Sequence, residues 1–340
     1  MSISVADLPQ VWQKPSFEEL LASLKRLQVD PPIWNHGTSR KVIQDTYRNG
    51  AQFRREVAAY LSSVIKSSLG WIQDDDEKEA LWEEASRRFS ERCGRAGMGE
   101  ITRRWPFDSQ ASAPFMLIIR EPPITGDSLG LKTWGSSYLL ATSLDKIARS
   151  SLSHLLNLGQ SNQYFDVLEL GSGTGLLGMA AAAIWQANVV LTDLPSIVPN
   201  LAYNVEMNRS NIEALGGTVD SGALTWGSDV DNAERFSNKN QFKIVLAADP
   251  LYDDDHPELL SSAIDAHLVA DKDARVIVMV PRRDLTTKKL AAKFLSVMMA
   301  SGLTVLEEHS LVGQDDWDGD DDEESSEVEC WWAIFGRMQQ

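Results

Sequence analysis

The stretch Val167-Leu-Glu-Leu-Gly-Ser-Gly-Thr-Gly-Leu-Leu177 decides the fold of this chain of 340 residues. An apolar run from Phe165 to Leu170 predicts a strand, and the run from Leu176 to Ala183 predicts a helix close behind it. Three glycines at alternate positions lie between them: Gly171, Gly173 and Gly175. Glycine permits positive φ and close approach of a ligand, and the first N–H groups of the helix would face that ligand. The stretch therefore predicts a cofactor crevice at the carboxyl edge of a parallel sheet.

Outward from this stretch, strand-like runs alternate with helical ones. Strands are predicted at Phe115–Arg120, Phe165–Leu170, Asn188–Thr192, Phe242–Ala247 and Val276–Val280, and a helix with its lead-in at Leu131–Ser150. Such alternation indicates a parallel sheet with right-handed crossovers. Two late runs, Gly302–Leu311 and Val328–Arg337, have no helix between them and predict an antiparallel hairpin. We therefore expect an α/β, Rossmann-like fold that ends in an antiparallel hairpin.

The amino-terminal third of the chain is predicted to be helical. Apolar residues recur there at the spacing of one helix face: Phe53, Val57, Tyr60, Leu61 and Val64. A second helix is predicted over Asp74–Arg92, with acidic residues in its first turn and arginines near its end, as the helix dipole favours. We expect residues 1–110 to form a helical extension and residues 111–340 to form the α/β domain.

Charge and composition exclude several classes of protein. The formal net charge of −17 argues against a nucleic-acid partner, because phosphate binding relies on Lys and Arg. Residues 315–329 hold ten Asp or Glu and no Lys or Arg, so residues 314–329 are predicted to form a solvated acidic loop or, alternatively, a docking element for a basic partner.

Two cysteines, an amino terminus without signal-peptide character and the absence of any run of ~18 apolar residues favour a soluble, cytoplasmic protein without a membrane segment. The five histidines show no spacing typical of metal ligation, so we expect no metal.

Two cofactor classes compete for the glycine-rich turn. Gly173, Gly175 and Gly178 match the dinucleotide pattern G-x-G-x-x-G, and Asp193 lies twenty residues after Gly173. The register is poor, however, because Gly173 comes three residues after the last predicted strand residue. The pattern E-x-G-x-G-x-G, which begins at Glu169, is in register with the strand end.

This second pattern resembles the glycine-rich motif of the seven-stranded S-adenosylmethionine-dependent methyltransferases. Further segments follow in the order that one branch requires: Thr133-Trp134-Gly135, Asn200 with Asn204, Thr225-Trp226-Gly227 and Ala248-Asp249-Pro250-Leu251-Tyr252. Together they resemble the protein-lysine methyltransferases of methyltransferase family 16, which modify translation elongation factors and chaperones. The resemblance covers Phe115 to Arg337. The helical extension is similar to that of fungal members that act on elongation factor 2.

The resemblance implies a seven-stranded methyltransferase sheet, S-adenosyl-L-methionine as cofactor and an elongation factor as protein substrate, with elongation factor 2 favoured and 1A next. It also implies two sets of site residues. The expected cofactor-binding residues are Trp134, Glu169, Gly171, Ser172, Gly173, Gly175, Asp193, Trp226 and Ala248. The expected catalytic residues are Asp249 and Tyr252. We further expect a monomer.

Structural alternatives remain for some of these residues. Asp193 would accept hydrogen bonds from the ribose hydroxyls, or it would cap the helix after Leu194-Pro195. Either tryptophan, Trp134 or Trp226, would line the cofactor or belong to the core.

Three alternative functions also remain. Asp249-Pro-Leu-Tyr252 approaches the Asp-Pro-Pro-Tyr motif of adenine-amino methyltransferases, in which the aromatic ring stacks on a flipped base. A scaffold that binds cofactor without catalysis is the second alternative. A dehydrogenase is the third, although no His or Lys occupies an obvious position for hydride transfer.

Overall fold

The computed structural model describes residues 4–28, 53, 55–92, 99–109, 113–123, 129–156, 166–228, 230, 232–314 and 327–337. These residues belong to two compact units that divide between Ile101 and Thr102. Each unit has its own apolar core. Within the described ranges, no helix combines the length and the apolar character that crossing a bilayer requires.

The first unit is helical, as predicted. Helix α1 spans Phe17–Arg26 and begins at a capping box in which Ser16 and Glu19 exchange hydrogen bonds. Helix α2 covers residues 55–66, and α3 spans Asp75–Ser90 with Asp74 as its N-cap. The apolar faces of the three helices pack into one core that includes Leu20, Leu24, Val57, Leu61, Val64 and Leu81.

The prediction of helix up to residue 110 is wrong at its end. Ile101–Phe107 forms strand β1, which pairs with β2, Phe115–Glu121, in a two-stranded sheet. Arg103, Trp105 and Phe107 are buried at alternate positions of β1, the period of a strand. The physical reason for the error is that a buried arginine breaks the apolar pattern by which a half-buried strand is recognised.

The second unit contains the predicted seven-stranded sheet. Its strands are β3 (Asp166–Leu170), β4 (Asn188–Asp193), β5 (Thr218–Ala223), β6 (Ile244–Ala248), β7 (Arg275–Pro281), β8 (Leu303–Gln314) and β9 (Glu327–Arg337). They lie in the order β5-β4-β3-β6-β7-β9-β8. The first five strands are parallel, and β9 runs antiparallel to both β7 and β8. The predicted α/β fold with its terminal hairpin is therefore confirmed.

The hairpin strands extend further than predicted. Residues 312–314 pair with residues 327–329, although the first strand was predicted to end at Leu311 and the second to begin at Val328. Gln314 and Glu327, which pair with each other, were expected in the acidic loop alone. Backbone pairing satisfies the hydrogen bonds of these residues and outweighs the charge of their side chains. The remaining loop residues, 315–326, lie outside the described ranges.

Within the described residues, five helices accompany the sheet: α4 (Gly135–Arg149), α5 (Leu176–Trp185), α6 (Val198–Ala214), α7 (His256–His267) and α8 (Leu285–Ala300). The chain passes from β3 to β4 and β5 on one side, and then returns to place β6 and β7 on the other side of β3. The order of the strands reverses between β3 and β6, and ligands of open α/β sheets bind at the carboxyl ends of the strands at such a point.

A row of asparagines on α6 connects this helix with strand β2. Asn208 Oδ1 accepts from the N–H of Ile118 at 2.8 Å, and Asn204 Oδ1 accepts from that of Arg120 at 2.9 Å. Their amide groups donate to the carbonyls of the same two strand residues. These two side chains thus form hydrogen bonds with the backbone of β2 as a neighbouring strand would. Asn204 Nδ2 also donates to the carbonyl of Thr174 at 3.0 Å and so anchors the glycine-rich turn.

Candidate active site

The glycine-rich turn follows β3 and needs glycine for two reasons. Gly171, Gly173 and Gly175 have φ of +69°, +56° and +89°, a region that L side chains rarely adopt. A Cβ at Gly175 would lie 2.7 Å from Leu201 Cδ1, and one at Gly171 would lie 3.2 Å from the ring of Trp226. The turn therefore has the positive φ that the sequence predicts, and it is also packed closely against neighbouring side chains.

Ser172 fastens the turn to β4. Its N–H donates to the carbonyl of Thr192 at 2.9 Å, and its Oγ accepts from the N–H of Thr192 at 3.0 Å. The hydroxyl of Thr192 donates in turn to the carbonyl of Glu169 at 2.6 Å. These bonds fix the turn to the carboxyl ends of two adjacent strands.

Glu169 is buried beneath the turn. Its Oε2 accepts from the N–H of Gly178 at 3.1 Å, and a Cβ at Gly178 would lie 2.5 Å from the same oxygen. Burial raises the pKa of Glu169 to about 8, so this carboxyl group is largely protonated at neutral pH. Sequence reasoning considered Gly178 only as a dinucleotide glycine, whereas here it makes room for the Glu169 side chain.

Asp193 ends β4 and faces the turn. Its Oδ2 accepts from the N–H of Gly173 at 2.7 Å, and its Oδ1 accepts from the N–H of Leu194 at 2.7 Å. The helix-cap alternative is wrong, because α6 begins at Val198 with Ile197 as its N-cap. Burial raises the pKa of Asp193 to about 6. Each carboxylate oxygen keeps a lone pair with which it can accept a ribose hydroxyl.

The two predicted tryptophans are half-buried, and Trp226 borders the turn. Trp134 is the N-cap residue of α4, and its Nε1 donates to the carbonyl of Leu129 at 3.1 Å. Trp226 packs against the apolar core on one side and against the glycine turn and the ring of His256 on the other. Because each ring also retains an exposed part, it can contact a ligand as well as the protein.

Asp249 follows Ala248 at the end of β6 and is held by an arginine. The backbone of Asp249 is left-handed, with φ of +55°, and its N–H donates to the carbonyl of Met279 at 2.9 Å. Arg283 donates from Nη1 to Oδ1 at 3.1 Å and from Nη2 to Oδ2 at 2.6 Å. The Arg283 guanidinium also lies 4.9 Å from the centre of the Trp134 ring. This contact joins the expected catalytic carboxylate to an expected cofactor residue.

Tyr252 lies at the solvent side of the same edge. Its side chain is 61 % exposed, and its ring lies 4.2 Å from that of His256 in an edge-to-face arrangement. Partial burial raises the pKa of Tyr252, and so do the negative charges of Asp193, Asp249 and Asp253. Asp193 ends β4 and Asp249 follows β6, and these two parallel strands flank β3, so both carboxylates lie at the same edge of the sheet.

Arg283 is the residue of this site that sequence reasoning missed. It lies two residues beyond β7, the strand next to β6, and the carboxyl ends of parallel neighbours meet at one edge. The available signal was the pair Arg282-Arg283, which follows Pro281 just beyond a predicted strand. Within the described part of the chain, no group of three His, Cys, Asp or Glu side chains could hold a metal ion.

A family model described as lysine methyltransferase matches residues 114–300. This chain belongs to the lysine methyltransferase family. The predicted resemblance is therefore confirmed, and S-adenosylmethionine is the cofactor of the family's reaction.

Individual relatives in the family carry related names. The chain is 33 % identical over 272 residues to the protein-lysine N-methyltransferase EFM2 of Saccharomyces cerevisiae, an alignment of 76 % of this chain and 61 % of that protein. It is 29 % identical over 303 residues to the protein-lysine N-methyltransferase rrg1 of Schizosaccharomyces pombe, covering 89 % of this chain and 90 % of the relative. The mouse protein-lysine methyltransferase METTL21E is 30 % identical over 181 residues, 53 % of this chain and 64 % of that protein.

The residues present suit S-adenosylmethionine better than a dinucleotide. The N–H of Gly173, which a pyrophosphate would need as a donor, is already bonded to the carboxylate of Asp193. A second anion beside that carboxylate would be repelled. The lysine methyltransferase cofactor carries a sulfonium cation and no pyrophosphate, and this cation, like the ribose hydroxyls that both cofactors have, interacts favourably with a carboxylate.

Proposed function

We propose that this chain is an S-adenosylmethionine-dependent protein-lysine N-methyltransferase in which Asp249 and Tyr252 receive the lysine side chain. One observation carries the proposal. The Asp249 carboxylate is fixed at the carboxyl end of β6, beside the strand that leads into the glycine turn, and it shares the edge with an exposed tyrosine ring. A carboxylate and an aromatic face are the two groups that bind an amine and then guide it.

The proposed chemistry follows from these groups. S-adenosylmethionine supplies an electrophilic methyl group on its sulfonium. A free lysine has a pKa of ~10.4, so the target must lose a proton before its nitrogen can attack. Asp249 attracts and orients the amine, Tyr252 contacts it with its hydroxyl or ring, and the proton leaves through water. Alignment of two reactants can contribute up to ~7–11 kcal/mol to catalysis.

We further propose that the cofactor lies along the ends of β3, β4 and β5. Asp193 accepts the ribose hydroxyls, while Gly171, Ser172, Gly173 and Gly175 line the aminoacyl part of the cofactor. Glu169 supports the turn from below, and Trp134, Trp226 and Ala248 enclose the remaining surface. The hydrogen bonds and glycine contacts described above support this assignment.

The proposed substrate is a translation elongation factor, elongation factor 2 before 1A, bound by a monomeric enzyme. The motifs from Trp134 to Tyr252 and the helical character of the first unit support this choice. The division into an extension, residues 1–110, and a methyltransferase domain, residues 111–340, stays a prediction, and strand β1 favours a boundary before residue 102.

Transfer of tritium from labelled S-adenosylmethionine tests the function. Extract from cells that lack the enzyme is incubated with wild-type protein, Asp249→Ala and the control Asp254→Asn, which changes an exposed carboxylate nearby. We expect wild type and the control to label lysine in one protein, identified by mass spectrometry, and Asp249→Ala to lose at least about a hundredfold in rate.

Two results would redirect the proposal. Label in RNA or DNA instead of protein would favour the adenine-amino alternative, for which the exposed Tyr252 ring is suitable. Normal complementation in vivo by Asp249→Ala would favour a scaffold without catalysis. Unlabelled elongation factors 2 and 1A, with another protein labelled on lysine, would contradict only the substrate.

A further inference from the structure

The contact between Arg283 and Asp249 has a well-defined geometry. Two parallel hydrogen bonds of 3.1 and 2.6 Å join the planar guanidinium to both carboxylate oxygens, the strongest geometry for this pair. The side chain of Asp249 is only 7 % exposed, and that of Arg283 is 29 % exposed. Because the Asp249 carboxylate is nearly buried, this pair interacts more strongly than an ion pair between two fully exposed side chains does.

The backbone on both sides also holds the contact in place. Asp249 is tied to β7 by its N–H bond to Met279. Arg283 directly precedes Asp284, the N-cap of α8, which exchanges capping-box hydrogen bonds with Thr287. The guanidinium is supported further by the Trp134 ring, 4.9 Å away. Arg283 therefore belongs to the framework of the site.

The charge balance around Asp249 gives Arg283 a chemical consequence. The negative charges of Asp193, Asp249 and Asp253 all raise the pKa of Tyr252, so the field of three carboxylates predominates where an amine would bind. Three carboxylates alone would hold the amine as ammonium, which has no lone pair for attack. Arg283 adds a permanent positive charge at this place, since a guanidinium stays protonated in proteins.

We propose that Arg283 is a positioning residue that holds Asp249 by two hydrogen bonds and offsets its charge, so that the target lysine binds as the neutral amine. This inference rests on the proposed function, because it concerns the carboxylate that receives the lysine. Two accepting lone pairs of Asp249 remain after the bidentate contact, and they can take the N–H groups of an amine. Substrate and Arg283 thus share Asp249.

Other charged or titratable groups lie in this part of the chain, but among the described residues Arg283 alone is seen to donate to the Asp249 carboxylate. They are Lys132, Asp193, Tyr252, Asp253, His256 and Asp284. Lys132 Nζ lies 4.4 Å from the Trp134 ring, and Asp284 is occupied with its cap. Burial lowers the pKa of His256, so its ring is neutral in the alkaline range where a lysine amine titrates.

The pH dependence of methyl transfer tests the proposal. Wild type, Arg283→Met, Arg283→Lys and Arg282→Met are compared by initial rates of tritium transfer, at saturating S-adenosylmethionine, to the protein that wild type labels in the deletion-cell extract. Arg282→Met is a matched control, because the adjacent Arg282 contacts Glu329 and the Trp331 ring instead of Asp249. Melting temperature and S-adenosylhomocysteine affinity verify that each variant is folded.

We expect Arg283→Met to shift the alkaline midpoint of the rate upward by about one pH unit, as loss of one nearby charge would. Its rate should therefore be about tenfold low near neutral pH and should recover at high pH. Arg283→Lys retains the charge and should keep a midpoint close to that of wild type, at a lower rate because one hydrogen bond is lost. Arg282→Met should match wild type throughout.

Several outcomes would overturn the inference. A rate for Arg283→Met that is reduced equally at every pH would indicate a merely structural role. A faster rate at every pH would indicate that Arg283 blocks the lysine and must be displaced. If wild type labels no protein, the proposed function fails and the inference fails with it, whereas an active wild type with parallel profiles defeats the inference alone.

Discussion

Acidification below about pH 6 should weaken cofactor binding through a single carboxyl group, that of Asp193. In the free protein this group accepts the N–H groups of Gly173 and Leu194, and its remaining lone pairs face the proposed ribose position. A protonated carboxyl group offers a donor where ribose hydroxyls need an acceptor. The cofactor therefore binds the ionised form, and protons compete with it.

The size of the effect follows from the raised pKa of Asp193, about 6. Below this value only the ionised fraction binds, so the dissociation constant should rise about tenfold per pH unit, or ~1.4 kcal/mol. The effect of acidification on the free energy of unfolding has the opposite sign to its effect on cofactor binding. A carboxyl group whose pKa is raised on folding favours the folded state below its unfolded pKa, and this contribution is lost as pH rises through about 6. Loss of binding through Asp193 is therefore distinct from acid unfolding.

Isothermal titration with S-adenosylhomocysteine between about pH 5 and 7.5 measures this effect, with melting temperature recorded at each pH. Asp193→Asn should bind about 10–100-fold more weakly at neutral pH and should lose the pH dependence, because the amide does not titrate. Asp220→Asn, on strand β5, should keep the wild-type curve. A wild-type affinity unchanged by acid, or a slope that survives in Asp193→Asn, would refute the reasoning. The latter would point to another group such as His256, whose pKa is lowered by burial.

Three further predictions concern stability. Gly175→Ala should lower the free energy of unfolding by about 2–5 kcal/mol, the sum of left-handed strain and overpacking. Gly302→Ala, with φ of +78° and open space around it, should lose only about 1–2 kcal/mol, and equal losses in urea denaturation would contradict this account. Asn204→Ala should cost about 3 kcal/mol or more, because three backbone groups lose a buried partner. Asn211→Ala removes one solvent-exposed hydrogen bond to the Met116 carbonyl and should cost under about 1 kcal/mol; similar midpoints in urea would be inconsistent with this account. Since the pKa of Glu169 is raised to about 8, the free energy of unfolding should fall as pH rises through that value, by about 2–3 kcal/mol between about pH 6 and 9. Glu169→Gln should lose this pH dependence, and an unchanged slope in the variant would argue against Glu169 as its source.

Sequence reasoning identified most of the sheet because each central strand has its own apolar run. It missed β5, an edge strand in which only Val219 and Gly222 are buried. An edge strand is shielded less and needs fewer apolar side chains, so its pattern is weak. It also missed β1, whose inward positions include a buried arginine, Arg103. In both cases the pairing with a neighbour, and not the local pattern, makes the strand.

The sequence by itself determined the glycine turn, the parallel order of strand and helix, and the carboxylates that end β4 and β6, Asp193 and Asp249. These features depend on residues close in the chain, where glycine conformation and apolar period leave a direct trace. Only the tertiary structure decided that Arg283, 34 residues from Asp249, holds that carboxylate. The adjacency of β6 and β7 brings the two residues to one edge, and a side-chain contact made through sheet order has no spacing that a sequence can reveal.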